Sequence, residues 1–139
     1  MLTKRLLWMN SILKISNDLL IHVIHSHKNL VIWVGSLHYH TATMGTKRDL
    51  EKATHKKGGK DLGTVELSRN NGQEIIIFKK DETGDLEKVM YLIKVISSSQ
   101  VRLGINAPNN YLILRRELLN TSQEEFFART NPEQELVLS

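Results

Sequence analysis

The sequence has no cysteine, only two prolines, few aromatic residues (6%) and no long hydrophobic run. Without cysteine there are no disulfides and no thiolate chemistry, which fits a reducing compartment. The longest clean apolar stretch, Leu30 to Leu37, falls far short of the ~20 residues that span a bilayer. Lys4 and Arg5 precede apolar residues as in a secretory signal, but Asn10, Ser11 and Lys14 interrupt before an h-region forms. These absences predict a cytoplasmic protein with no membrane segment. What is present, 40% hydrophobic and 24% charged residues in a chain of 139, is the balance of a folded protein. It suits one ordinary domain or a very small one with long appendages.

The net charge of +4 points to an anionic partner, but it is unevenly spread. Residues 1–63 hold ten Lys/Arg against four Asp/Glu, or +6, and residues 64–139 hold nine against eleven, or −2. Residues 64–118 alone are nearly neutral, with eight basic and seven acidic side chains. Any site for an anion in that part has to be local.

Residues 1–40 mix Leu, Ile, Val, His and Trp with no sustained period of 3.6 or 2. Leu6, Met9 and Leu13 share one helix face, as do Leu20 and Ile24, between the interruptions at Asn17-Asp18 and His25-Ser26-His27. Residues 1–63 therefore read as an N-terminal extension, partly helical or disordered, or alternatively as a stretch upstream of a true start near Met44. Within it, residues 44–63 form a basic, glycine-containing arm with Lys47, Arg48, Lys52, Lys56, Lys57 and Lys60 and little to bury. His22, His25, His27, His38 and His40 have the spacing of imidazole ligands. No cysteine and no carboxylate set stand beside them, so no metal or cofactor is assigned.

After Gly63 the pattern is that of strands. Val65 and Leu67 alternate with polar residues, and Asn70-Asn71-Gly72 is a strong turn signal because Asn and Gly tolerate positive φ. Glu74 to Lys79 and Lys88 to Ile96 are rich in β-branched residues and are joined by a polar turn, as a hairpin would be. Val101 to Ile105 makes a fourth strand that Pro108 ends, and Tyr111 to Leu114, apolar at every position, makes a fifth covered on both faces. Thr121 with Glu124, or Ser122 with Glu125, has capping-box spacing for a helix that Pro132 closes. The fold class is all-β: a five-stranded domain over 64–118, then a helix and acidic tail over 119–139. Five short strands bury too little surface alone and leave open edges, so a strand-sharing homodimer is expected.

Val65-Glu66-Leu67-Ser68-Arg69, Gly72-Gln73-Glu74-Ile75-Ile76-Ile77, Val101-Arg102-Leu103-Gly104-Ile105-Asn106-Ala107-Pro108 and Ile113-Leu114-Arg115-Arg116-Glu117 together resemble the bacterial carbon storage regulator family, CsrA/RsmA. The resemblance covers about residues 64–127 and none of residues 1–60. It implies a dimer in which the first strand of one subunit pairs with the last strand of the other, building two identical sites. The implied partners are mRNA, and small regulatory RNA, with GGA in single-stranded loops; the implied outcome is repressed translation.

Unpaired bases are read by donors and acceptors at their edges, by cations and by stacking planes, with no catalytic group. By the resemblance Arg115 is the principal RNA contact, with Leu67, Arg69 and neighbouring Val65 on the first strand and Ile113 on the last. Arg116, where the family commonly has an acidic residue, adds a positive charge, and Glu117 caps the following helix. Arg102 has a structural or surface role. Asn70 and Leu114 depart from the family's usual basic and polar residues. They motivate an alternative, a divergent member acting as dimerisation partner or decoy. No Ser/His/Asp set, phosphate loop or carboxylate pair falls at an informative spacing, so no enzyme is expected.

Overall fold

Leu19, Ile21 and Val23 recur at alternate positions, as do Leu30, Ile32 and Val34, and all six side chains are buried. Period two is what a strand with one face on a core requires. The computed structural model describes residues 2–36, 42–54 and 62–130. Residues 2–36, expected to be partly helical or disordered, form four strands in it: β1 (Leu2–Leu7), β2 (Ile12–Ser16), β3 (Leu19–His25) and β4 (Leu30–Ser36). The two-residue strand β5 (Thr43–Met44) and helix α1 (Lys47–Thr54) follow. Part of the expected basic arm is thus helical. Thr46 caps α1 through reciprocal bonds with Asp49, and these bonds hold the Asp49 carboxyl below its usual range. The remainder, Lys56, Lys57 and Lys60, lies outside the described residues, as do His38 and His40.

The second half contains β6 (Leu62–Arg69), β7 (Glu74–Lys80), β8 (Leu86–Ile96), β9 (Val101–Pro108) and β10 (Tyr111–Arg115). A 3-10 turn (Arg116–Leu118) and helix α2 (Thr121–Thr130) complete it. The five expected strands are all present. The helix starts one residue from the expected boxes, on Asn120, whose side chain accepts from the Gln123 N–H while its own N–H donates to Gln123 Oε1.

Two antiparallel sheets result, ordered β1-β4-β8-β7-β10 and β5-β2-β3-β9-β6. Exchanging β1–β5 with β6–β10 in order turns one sheet into the other. The correspondence extends to individual bonds. Asn10 N–H donates to Val23 O at 2.8 Å and Val23 N–H to Ser11 O at 2.9 Å; Gly72 N–H donates to Val95 O at 2.7 Å and Val95 N–H to Gln73 O at 3.0 Å. Both turn residues are left-handed, Asn10 at φ 69° and Gly72 at φ 80°, a conformation that Gly and Asn adopt at least cost. Register matches too: Leu13 faces Ile21 as Ile75 faces Ile93, and Ile21 faces Ile105 as Ile93 faces Val34.

The halves are interlocked. β4 of the first half pairs with β8 of the second, and β3 pairs with β9. The sheets enclose the main core, to which residues 7–42 contribute ten of twenty-one buried residues. The described residues of the first half thus share one core with the second half. A second, smaller cluster joins Ile76, Phe78, Val89 and Leu92 to Phe127 of α2. Tyr111 and Ile113 pack on the main core while Leu112 and Leu114 pack on this second cluster, so β10 is covered on both faces as its composition demands. No helix among the described residues is long and apolar enough to cross a membrane.

Candidate nucleic-acid interface

β6 and β10 are edge strands of different sheets, each with one row of backbone donors and acceptors outside the ladder. β6 pairs with β9 and β10 with β7. Within the chain these two edges do not pair with each other but approach side by side. Leu67 from β6 and Ile113 from β10 belong to one apolar cluster, and a salt bridge joins the strand ends. Arg69, the last residue of β6, is 2% exposed. Its guanidinium donates to Glu117 Oε1 and Oε2 at 2.8 and 2.9 Å, to Glu74 O at 3.2 Å and, through Nε, to Ser68 O at 2.8 Å.

The Arg69 guanidinium is thus engaged within the fold. Glu117 does not cap α2, because its carboxylate forms the other arm of a bidentate ion pair. That hydrogen bonding to Arg69 pulls the Glu117 carboxyl down from 4.5 to about 2. A carboxylate depressed in the folded state stabilises it fully above the unfolded value of 4.5 and loses that contribution as pH falls towards 2. In denaturant titrations at successive pH values, wild type is expected to lose stability across this window relative to Glu117→Gln. Two parallel profiles would contradict the assignment. Glu117 is 46% exposed, so solvent screening reduces the size of the effect.

The other arginines in this region divide clearly. Arg102 on β9 pairs with Glu66 on β6 at 2.5 Å, both exposed, which is the surface role expected. Arg116 pairs with Glu124 at 3.1 Å and lies 4.2 Å from the centre of the Phe127 ring. Its added charge is thus paired with a carboxylate of α2. Arg115 ends β10 half-buried; its side chain makes no hydrogen bond or ion pair among the described residues, though its charge attracts the Glu117 carboxylate at longer range. Val65 is 36% exposed on β6, Leu67 is buried and Ile113 is half-buried. Leu114 packs beneath α2, so its departure from a polar residue follows from a helix that needs an apolar seat.

The corresponding edges of the first half, β1 and β5, also approach one another, with Arg5 Nε donating to Ala42 O at 2.8 Å. Their chemistry is different. By strand register Leu7 stands where Arg69 stands and Met44 where Arg115 stands. Leu7 is fully buried and Met44 exposed. Beside them a cleft of about 620 Å³ is lined by Trp8, Asn10, Ser11, Ile12, His22, Met44, Gly45, Lys47 and Leu50. Burial holds the His22 imidazole below its ordinary value, which favours its neutral form. Sequence reasoning missed both this second pair of edges and the role of Glu117; the signal for the latter was an acidic residue directly after two arginines at the end of the last strand.

The CsrA family model, described as a global regulator protein family, matches residues 66–124, from β6 into α2. No curated protein matches the chain significantly.

Proposed function

We propose, from the membership of this chain in the CsrA global regulator family through residues 66–124, that it is a post-transcriptional regulator. It binds GGA-containing single-stranded loops of mRNA in the cytoplasm and represses their translation. Arg115 carries the reading. Among Arg69, Arg102, Arg115 and Arg116, three are taken up by Glu117, Glu66 and Glu124, and Arg115 alone is left unpaired, at the edge where β6 and β10 approach. A guanidinium in that position offers a fork for a base edge or phosphate and a plane for stacking. The outer backbone of β6, with Val65 and Leu67, supplies the edge donors and acceptors that distinguish unpaired bases. Ile113 and the ion pair of Arg69 hold the two edges in place. Lys47, Arg48 and Lys52 on α1, which packs against β6, add sequence-independent attraction to phosphate.

Gel-shift titration of a GGA hairpin tests this. Arg115→Ala is expected to weaken binding at least tenfold, about 1.4 kcal/mol, whereas Arg102→Ala, which removes an exposed and already paired cation, leaves affinity within about twofold. Absence of binding by wild type would favour the alternative, a partner or decoy for other family members.

A further inference from the structure

We propose that this chain is a self-contained, internally duplicated counterpart of a two-subunit assembly, monomeric in solution, with one RNA site where two equivalent sites are geometrically possible. The proposal rests on the reading of β6 and β10 as an RNA site. The duplication itself stands on separate observations: mirrored sheet orders, matched registers, and a matched pair of turns with the same two hydrogen bonds.

A domain of five strands needs a second copy to cover β8 and β9. Here β4 and β3 lie beside those strands and come from the same chain. Each sheet therefore already has its five strands, and both faces of the inter-sheet core are occupied. The surface that would recruit a second molecule is used up internally.

Duplication preserves the framework and has changed the chemistry at one end. Around β6 and β10 the corner carries Arg69, Arg115 and Glu117. The matching positions around β1 and β5 are Leu7, Met44 and Thr46, and Thr46 is occupied in capping α1. Among the described residues that corner has no ion pair between its strand ends and no arginine on its last strand. On β1, Arg5 donates through Nε to Ala42 O and the Lys4 ammonium lies 5.4 Å from the Trp33 ring, while Lys47 lines the adjoining cleft. With Met44 in the register position of Arg115, the β1/β5 corner lacks the last-strand arginine on which the β6/β10 reading depends.

Light scattering on the full chain and native mass spectrometry with a GGA hairpin test both parts. The expected mass is that of one 16.0 kDa chain, and the expected complex contains one hairpin per chain. Arg115→Ala, checked to be folded by its melting curve, is expected to take occupancy from one to none at hairpin concentrations that saturate wild type. A stable species of twice the chain mass without RNA would overturn the self-contained assembly. Two hairpins per chain, or one still bound after Arg115→Ala, would overturn the single site and identify the Trp8 and Met44 corner as a second. No binding at all by wild type would remove the RNA reading and the site count with it, while the mass still decides the assembly.

Discussion

A chain shortened to begin at Leu62 is expected to melt at a temperature that rises with its own concentration, whereas the full chain melts at a concentration-independent midpoint. Removing residues 1–61 takes β3 from β9 and β4 from β8, so each of these two remaining strands loses a neighbour. It also removes ten of the twenty-one residues of the main core. At roughly 1.5–3 kcal/mol for each fully buried aliphatic side chain, that loss exceeds the ~5–15 kcal/mol net stability of a typical domain. The shortened chain has no folded monomer.

Two shortened chains, however, can replace what was lost. The internal correspondence places Ile93 where Ile21 stands and Val95 where Val23 stands, and on the facing strand Leu103 and Ile105 match Ile32 and Val34. These are exchanges of aliphatic residues of similar volume, which cores tolerate best. In the associated form β8 of one copy lies along β9 of the other. Each tenfold increase in concentration then adds about 1.4 kcal/mol to the folded side, read by circular dichroism as a rising midpoint. A concentration-independent melt of the fragment would show that residues 62–139 fold unaided and that the interlocking of halves is not essential.

How much of this was legible in the sequence depended on which side chains lie between the core-facing ones. In β6 and β9 polar Glu66, Ser68 and Arg102 punctuate Leu67, Val101 and Leu103, so the period of two is visible. In β3 and β4 the intervening positions include Leu20, Val31 and Trp33, and an unbroken apolar run carries no period. Sheet surroundings account for part of the difference: Leu20 is buried as well as Leu19 and Ile21. The duplication was hidden for a related reason. Matched positions share burial and hydrogen bonding rather than identity, as Asn10 with Gly72 and Leu7 with Arg69 do. A turn asks for positive φ, which Asn and Gly both provide, and a closed core asks for volume, which leucine supplies as well as the stem of arginine. The Arg115 position was legible because a motif surrounded it; the partner of Arg69 was not, since Glu117 lies 48 residues away along the chain.

Arg69→Ala is expected to destabilise the protein by about 2–5 kcal/mol, chiefly through truncation of a fully buried side chain, because Glu117 is half exposed and is resolvated when its partner is removed. The guanidinium fills a closed site and supplies donors to Glu117, Glu74 O and Ser68 O, so alanine leaves a void together with acceptors that have lost their partner. Glu117, released from Arg69, returns towards its ordinary carboxyl range, and the acid-linked loss of stability between pH 4.5 and about 2 disappears from the denaturation profile. The first half already contains the apolar version of this corner, with Leu7 fully buried and Thr46 in the place of Glu117. Arg69→Leu combined with Glu117→Thr is therefore expected to recover most of what Arg69→Leu alone loses, because hydrophobic replacement of a whole buried pair is often neutral or stabilising. The cycle of two single variants and the double separates this coupling from simple packing. Additive losses would mean that the pair does no more than occupy space. Recovery in the double variant, accompanied by weaker binding of a GGA hairpin, would assign the ion pair to holding β6 and β10 where Arg115 can act, and would explain why the charged version stands at only one of the two corners.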